Sequence, residues 1–309
     1  MNKPRRPPRR KVDGVLLLDK PLGISSNAAL QKARWLFNAA KAGHTGTLDP
    51  LATGLLPLCF GEATKFSSTL LDADKTYLAT VKLGVVTATA DAEGQVLATH
   101  PVTTTEADLR AVLPRFTGAI EQVPPMYSAL KRDGTPLYEL ARQGIEVDRM
   151  PRRVTIHALD LLGWRGDTFD LAVDCSKGTY VRTLAADIGS ALGCGAHLAA
   201  LRRTRVGMLD LAQATTLEAI EALPAETRDS LLQPPDTLLA ELPIAQLNEM
   251  ETARILQGQP VLCTGTPSCQ RRLLASSRQY RLFGPQGFIG LGEITADGWL
   301  EAKRLIATN

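Results

Sequence analysis

The sequence has no apolar run near the roughly 20 residues that a membrane-crossing helix needs. Its first eleven residues, MNKPRRPPRRK, lack the apolar stretch of a secretory leader. The chain is therefore expected to be cytoplasmic and to keep off membranes. Cysteine is also scarce: the five present, Cys59, Cys175, Cys194, Cys263 and Cys269, are odd in number, scattered, and form no CxxC pair. That spacing supplies neither a disulfide framework nor a zinc site, so no metal is expected. No internal repeat is visible. The one biased segment is the tail, whose prolines interleaved with arginine forbid helix and predict disorder over residues 1–11.

What is present is an ordinary globular composition. With 309 residues, 44% of them hydrophobic, the chain can bury one large core and a second small one. Net charge is only +3, yet six of the first eleven residues are basic, and further clusters lie at 201–205 (LRRTR) and at Arg271, Arg272, Arg278 and Arg281. Such patches on a near-neutral chain fit a polyanionic partner. Any single one of them also reads as solvated surface charge.

Hydrophobic periodicity then orders the elements. GVLLL from Gly14 reads as a buried strand ended by Lys20-Pro21, and GISSN supplies a serine cap for a helix through about Asn38. TYLATVKLGVV, RRVTIHALDLLGW and DTFDLAVDCS alternate as strands, while TTEADLRAVLPRF and GTYVRTLAADIGSALG have helical spacing and termini. Strands and helices mix without a strict βαβ repeat, which predicts an α+β fold with a mixed, largely antiparallel sheet over residues 12–242. Residues 124–151, bounded by prolines and carrying Met126, Tyr127, Lys131, Arg132, Tyr138 and Arg142, read as an excursion with aromatic and basic faces. From about residue 243 the pattern changes to short apolar runs and glycines, as expected of a small β-rich domain reaching residue 309.

Between these lies AGHTGTLDPLATGLLPLCFGEATKF, residues 42–66. Locally, Asp49-Pro50 reads as a helix start, with Asp as N-cap, Pro at the first helical position and LATGLL continuing the helix. The loop lacks the GxxxxGK[ST] order of a phosphate-binding loop. Paired-carboxylate hydrolysis has no second acid, because Glu62 sits in a separate GEATK segment. Any chemistry here rests on Asp49 alone.

GHTGTLDPLATGLLPLCFGEATKF resembles, over more than twenty residues, the active-site motif of the bacterial TruB-type pseudouridine synthases, which act on uridine 55 of tRNA. The resemblance extends through GVLLLDKPLGISS, KTYLATVKLGVVTATADAEG, PPMYSALKRDGTPLYELARQG, DCSKGTYVRTLAADIG and LRRTRVG, covering about residues 12–309 and weakest over 208–260. It implies a pseudouridine-synthase catalytic domain, an RNA-gripping insertion at 124–151 and a PUA-like RNA-binding domain at 243–309. It also implies base flipping, cleavage of the glycosidic bond and re-attachment of the uracil through C5. This isomerisation requires no cofactor and no metal. By the same resemblance Asp49 is the catalytic carboxylate, Arg182 its paired cation, and Tyr180 the group that handles the C5 proton. Tyr77 stacks the flipped base, Leu201 walls the pocket and His44 lies by the flipped nucleotide. Lys20 and Lys65 support the motif or phosphates, and Met126, Tyr127 and Lys131 contact RNA. The partner implied is the tRNA T-arm, engaged by a monomer needing no protein partner. Two other readings use the same surfaces: a tRNA-binding folding chaperone without chemistry, and the guide-RNA-dependent relatives, against which the insertion argues.

Overall fold

The computed structural model describes residues 8–128, 130–262 and 278–307. The first seven residues of the tail, together with Cys263, Cys269, Arg271 and Arg272, lie outside the described residues, and so do the expectations made for them. Among the described residues no helix is long and apolar enough to cross a membrane.

Seven strands carry the main sheet: β1 (Gly14–Lys20), β2 (Ala52–Phe60), β3 (Lys75–Leu83), β4 (Gly118–Gln122), β5 (Arg152–Trp164), β6 (Thr168–Cys175) and β7 (Ala196–Val206). Their order is β1-β2-β7-β3-β6-β5-β4, with the short Thr215–Thr216 strand outside β1. Only two of these pairings are parallel, β7 with β2 and β1 with Thr215–Thr216, so the sheet is mixed and largely antiparallel, as expected. The near-continuous apolar run of β1 has a direct cause. Leu16 and Leu18 face one core while Val15 and Leu17 face another, so the strand is covered on both sides.

Helix α1 (Ser26–Leu36) begins where expected: Ser25 is its N-cap, its Oγ accepting from the Ala28 amide at 3.1 Å. Helix α2 (Glu106–Val112) carries a capping box built by Thr105 and Asp108. Helix α3 (Val181–Ala191) packs on the sheet through Leu184, Ala185 and Ile188. A separate five-stranded sheet follows, built from Ile244–Gln246, Gln279–Gly284, Gly287–Ile294, Trp299–Leu305 and Val261–Leu262. It has its own core around Tyr280, Leu282 and Leu300.

Three local expectations are corrected. The helix expected after Asp49-Pro50 does not form: residues 52–60 are β2, paired with β1 from Gly54 to Phe60 and with β7 at Ala52–Gly54. Local capping propensity is worth about 1 kcal/mol, and two ladders of sheet hydrogen bonds on a fully buried strand outweigh it. The tail is not unstructured up to residue 11. Arg10 donates to Asp229 at 2.6 Å and its amide to the Asn38 carbonyl at 2.9 Å. The LRRTR cluster is not a basic surface. It lies on β7 between β2 and β3, where Arg202 pairs with Asp19 at 2.6 Å and Arg203 is 1% exposed, leaving Arg205 outside.

Gly54 makes the crossing of β2 and β7 possible. It has φ +98°, and a Cβ there would stand 2.3 Å from the Arg203 carbonyl oxygen. Gly54→Ala is expected to lower unfolding stability by about 3 kcal/mol through overpacking and a disfavoured φ. Gly43→Ala, where nothing lies within 4 Å, is expected to change it by less than about 1 kcal/mol. Urea unfolding of the two variants checks this.

Candidate active site

Asp49 stands at the turn just before β2, with its carbonyl accepting from the Ala52 amide at 3.0 Å. The loop in front of it is clamped by α1. The Ser26 hydroxyl, 1% exposed, accepts from the Leu48 amide at 2.7 Å and donates to the Leu48 carbonyl at 2.9 Å. The role of the second serine in GISS is thus to fix the residue preceding Asp49.

Arg182, in the first turn of α3, reaches Asp49 with Nη2 3.0 Å from Oδ2. The same nitrogen donates to the Tyr127 carbonyl at 2.7 Å, while Nη1 lies 3.4 Å from Asp91 Oδ2 and donates to the Thr89 carbonyl at 3.3 Å. One guanidinium, its side chain 7% exposed, therefore ties together the Asp49 loop, the loop of Asp91 and the root of the 124–151 segment. Asp49 keeps 43% of its side-chain surface open toward a cavity of about 270 Å³, although protein crowds its other sides. Burial raises its carboxyl above the ordinary value. Arg182 opposes that rise most, Asp91 adds to it and Lys20 lowers it.

Tyr77, Tyr180 and Leu201 line the same cavity with Asp49, Arg182 and Ser128. Sheet register explains the convergence. Leu201 is parallel-paired with Ala52 and antiparallel-paired with Ala79, and Tyr77 lies opposite Arg203 on β7. Burial pushes both tyrosine hydroxyls up from their usual range. Tyr180 immediately precedes α3, its amide donating to Gln122 Oε1 at 3.0 Å and its carbonyl accepting from Gln122 Nε2 at 3.3 Å.

The other residues expected at the site do not line this cavity. Lys20 is fully buried and its Nζ donates to the carbonyls of Pro21 at 2.8 Å and Ile24 at 2.7 Å, so it holds the turn after β1. Burial lowers its ammonium to about 8. Lys65 pairs with Glu62 at 2.6 Å and donates to the Leu305 carbonyl at 2.8 Å, joining the catalytic core to the last strand of the second sheet. His44 is half-buried on the short Ala42–His44 strand beside β2, outside the cavity lining, and its Nδ1 has no hydrogen-bond partner. Burial and Arg203 lower its basicity. Met126 and Tyr127 are half-buried at the root of the insertion, and Lys131 is exposed on the Lys131–Arg132 strand. Asp91 was missed because its carboxylate sits in an apparently ordinary turn, TATADAEG. It is 3% exposed and accepts from the Glu93 amide at 3.1 Å. Among the described residues no three His, Cys, Asp or Glu side chains gather as a metal cluster.

Comparison with known proteins decides the family. The model of the TruB family pseudouridylate synthase N-terminal domain matches residues 34–181, the tRNA pseudouridylate synthase B C-terminal domain matches 182–240, and the pseudouridine synthase II TruB C-terminal model matches 243–306. The chain belongs to the TruB family of pseudouridine synthases. A tRNA pseudouridine synthase B of Azoarcus sp. (strain BH72) is 60% identical over 304 residues, 98% of each chain. One of Pseudomonas fluorescens (strain Pf0-1) is 57% identical over 303 residues, covering 96% of this chain and 97% of that one. Among solved structures, an H/ACA RNP bound to a substrate RNA containing 2'-deoxyuridine superposes with TM-score 0.70 at 23% identity, over 96% of this chain and 85% of the other. The archaeal box H/ACA sRNP Nop10-Cbf5 complex gives 0.70 at 24%, over 97% and 88%. These two show a shared fold. The TruB enzyme is thus a pseudouridine synthase with an α+β catalytic core and a C-terminal β-rich domain.

The raised Asp49 carboxyl has a consequence for stability. A carboxylate whose folded pKa lies above its unfolded value binds its proton more tightly when folded, so its ionisation destabilises the fold as pH rises through those values. Asp49→Asn, which never ionises and leaves Arg182 its other acceptors, is expected to raise the unfolding temperature of the TruB enzyme at pH 7. The gain should shrink as the pH falls below the carboxylate range. Calorimetry at several pH values checks the sign.

Proposed function

We propose that this chain converts the uridine at position 55, in the T-loop of tRNA, to pseudouridine, acting alone as a cytoplasmic monomer. The observation that carries the reading is the Asp49 carboxylate, held by Arg182 at 3.0 Å and open to a cavity of about 270 Å³. That volume is below the range typical of drug-sized ligand pockets and suits a single flipped base. The relatives named tRNA pseudouridine synthase B, at 57–60% identity over nearly the whole chain, supply the substrate class.

A base stacked within a folded RNA loop is reached only after extrusion, and Tyr77 and Leu201 offer it an aromatic face and an apolar wall. Asp49 then acts at the glycosidic bond, as a nucleophile on C1′ or C6 or as the base that takes a sugar proton while uracil departs. Arg182 keeps the carboxylate ionised despite its burial, by opposing the desolvation that raises its pKa. Re-attachment through C5 releases one proton there and N1 gains one, so the base keeps its composition, with Tyr180 handling the C5 proton directly or by relaying it through water as its own hydrogen moves on. The segment 124–151 and the domain at 243–309 grip the RNA.

Purified protein incubated with unmodified tRNA transcript, followed by carbodiimide-dependent reverse-transcription mapping, tests the reading. A stop at the T-loop uridine is expected, and a stop elsewhere or none contradicts it. Asp49→Asn should bind tRNA and lose at least about a thousandfold in single-turnover rate. Arg182→Lys loses the planar fork and should slow turnover about a hundredfold while affinity changes little.

The root of the insertion belongs to the site, through the Tyr127 carbonyl on Arg182, so its RNA role is tested by replacing only residues 131–142 with a glycine-serine linker. The loss of rate is expected to be larger on folded tRNA than on an isolated, loosely structured T-arm, because the looser loop opens at lower cost. Equal losses on the two substrates would mean that the segment does not open the loop.

A further inference from the structure

Asp91 carries a buried charge beside Arg182 without closing on it. Its Oδ2 stands 3.4 Å from Arg182 Nη1, whereas Asp49 Oδ2 stands 3.0 Å from Nη2. A carboxylate free to settle against a guanidinium comes to about 2.7–2.9 Å, so Asp91 is being held back. The cause lies in its own turn. Oδ1 accepts the Thr89 hydroxyl at 2.5 Å and the Glu93 amide at 3.1 Å, which leaves only Oδ2 for Arg182. The turn as a whole cannot follow the arginine. The Thr87 hydroxyl donates to the Asp91 carbonyl at 2.7 Å, and β7 pins the backbone on both sides of Asp91, Leu198 donating to the Ala90 carbonyl and accepting from the Ala92 amide, each at 3.0 Å. Thr89 also meets Arg182 directly, its carbonyl accepting from Nη1 at 3.3 Å. Gly94 leaves room for the hydroxyl, since a Cβ there would stand 2.3 Å from Thr89 Oγ1.

We infer that Thr89 is a positioning residue for the pair of Asp49 and Arg182: its hydroxyl tethers the Asp91 carboxylate to its own turn, so that the guanidinium stays on Asp49. The inference rests on the reading of Asp49 as a carboxylate that must be ionised to react. Without the hydroxyl, Oδ1 of Asp91 keeps only the Glu93 amide, and that one bond is all that opposes its approach to Arg182. One guanidinium then serves two close carboxylates, and Asp49 loses part of its counter-charge. The other groups facing Asp49 are Lys20, Glu93 and the phenols of Tyr77 and Tyr180, and substitution of Thr89 alters the charge of none of them.

The test is single-turnover pseudouridine formation on tRNA transcript across pH at saturating enzyme, with circular dichroism and a filter-binding affinity for each protein. The variants are Thr89→Val, Thr89→Ala, Thr89→Ser, Asp49→Asn, Asp91→Asn and the Asp91→Asn/Thr89→Val double variant. Loss of the hydroxyl, in Thr89→Val or Thr89→Ala, is expected to move the acid limb upward by about one pH unit. That slows the reaction about tenfold on the acid side, with a smaller loss on the alkaline side and unchanged affinity. Thr89→Ser, which keeps the hydroxyl, should hold the limb near its wild-type position. In the Asp91→Asn background no charge remains to be held back, so adding Thr89→Val should move the limb no further. A limb that stays in place or moves down in folded Thr89→Val and Thr89→Ala would overturn the inference. So would an equal loss of rate at every pH, or an upward shift that persists in the double variant. An active, folded Asp49→Asn protein would instead overturn the reading of Asp49 on which the inference stands.

Discussion

Arg182 places one charged fork, almost wholly removed from water, against two carboxylates and two backbone carbonyls drawn from three separate loops. Without it, Asp49 and Asp91 would be two like charges in one poorly solvated place, and the Tyr127 carbonyl would lose its donor. A buried charge is tolerated only when paired and hydrogen-bonded. Arg182 thus gives the Asp49 loop, the Asp91 turn and the insertion root a common anchor, so the segment proposed to grip RNA joins the chemistry at a single side chain.

The sheet makes that convergence possible. β7 lies between β2 and β3, bringing Leu201 beside Ala52 and Ala79, and Arg203 opposite both Gly54 and Tyr77. Arg203 has no carboxylate within salt-bridge distance among the described residues. Its guanidinium donates to the carbonyls of Leu55 at 2.8 Å and Gly46 at 3.0 Å, below the loop that leads to Asp49. Ser26 holds the same loop from the helix side. The Asp49 loop is thus braced by α1, β7 and α3 together.

Much of the fold was legible because burial follows period. The alternation in β6 and the serine cap of α1 are local signals that tertiary packing reinforces. Where tertiary pairing opposed the local signal, the sequence misled. Asp49-Pro50 has the form of a helix start, yet LATGLL became a strand because β1 and β7 both pair with it. LRRTR looked like surface charge, but strand alternation turns Arg203 inward. That Asp49, Tyr77, Tyr180, Arg182 and Leu201 surround one cavity was readable only through the family motif, since they come from four segments separated by up to 152 positions along the chain. Asp91 and Ser128 have unremarkable local sequence, and only their burial marks them.

The central claim is that Asp49 works as a carboxylate kept ionised by a balance of charges, with Arg182 lowering its pKa and Asp91 raising it. Asp91→Asn keeps the acceptor that binds the Glu93 amide and removes the opposing charge. The direct measurement is the pH dependence of single-turnover pseudouridine formation by that variant beside the wild type, on the same tRNA transcript at saturating enzyme. If Asp49 must be ionised, the acid limb moves to lower pH in Asp91→Asn. An acid limb that stays in place or moves upward in a folded, tRNA-binding variant would contradict the account.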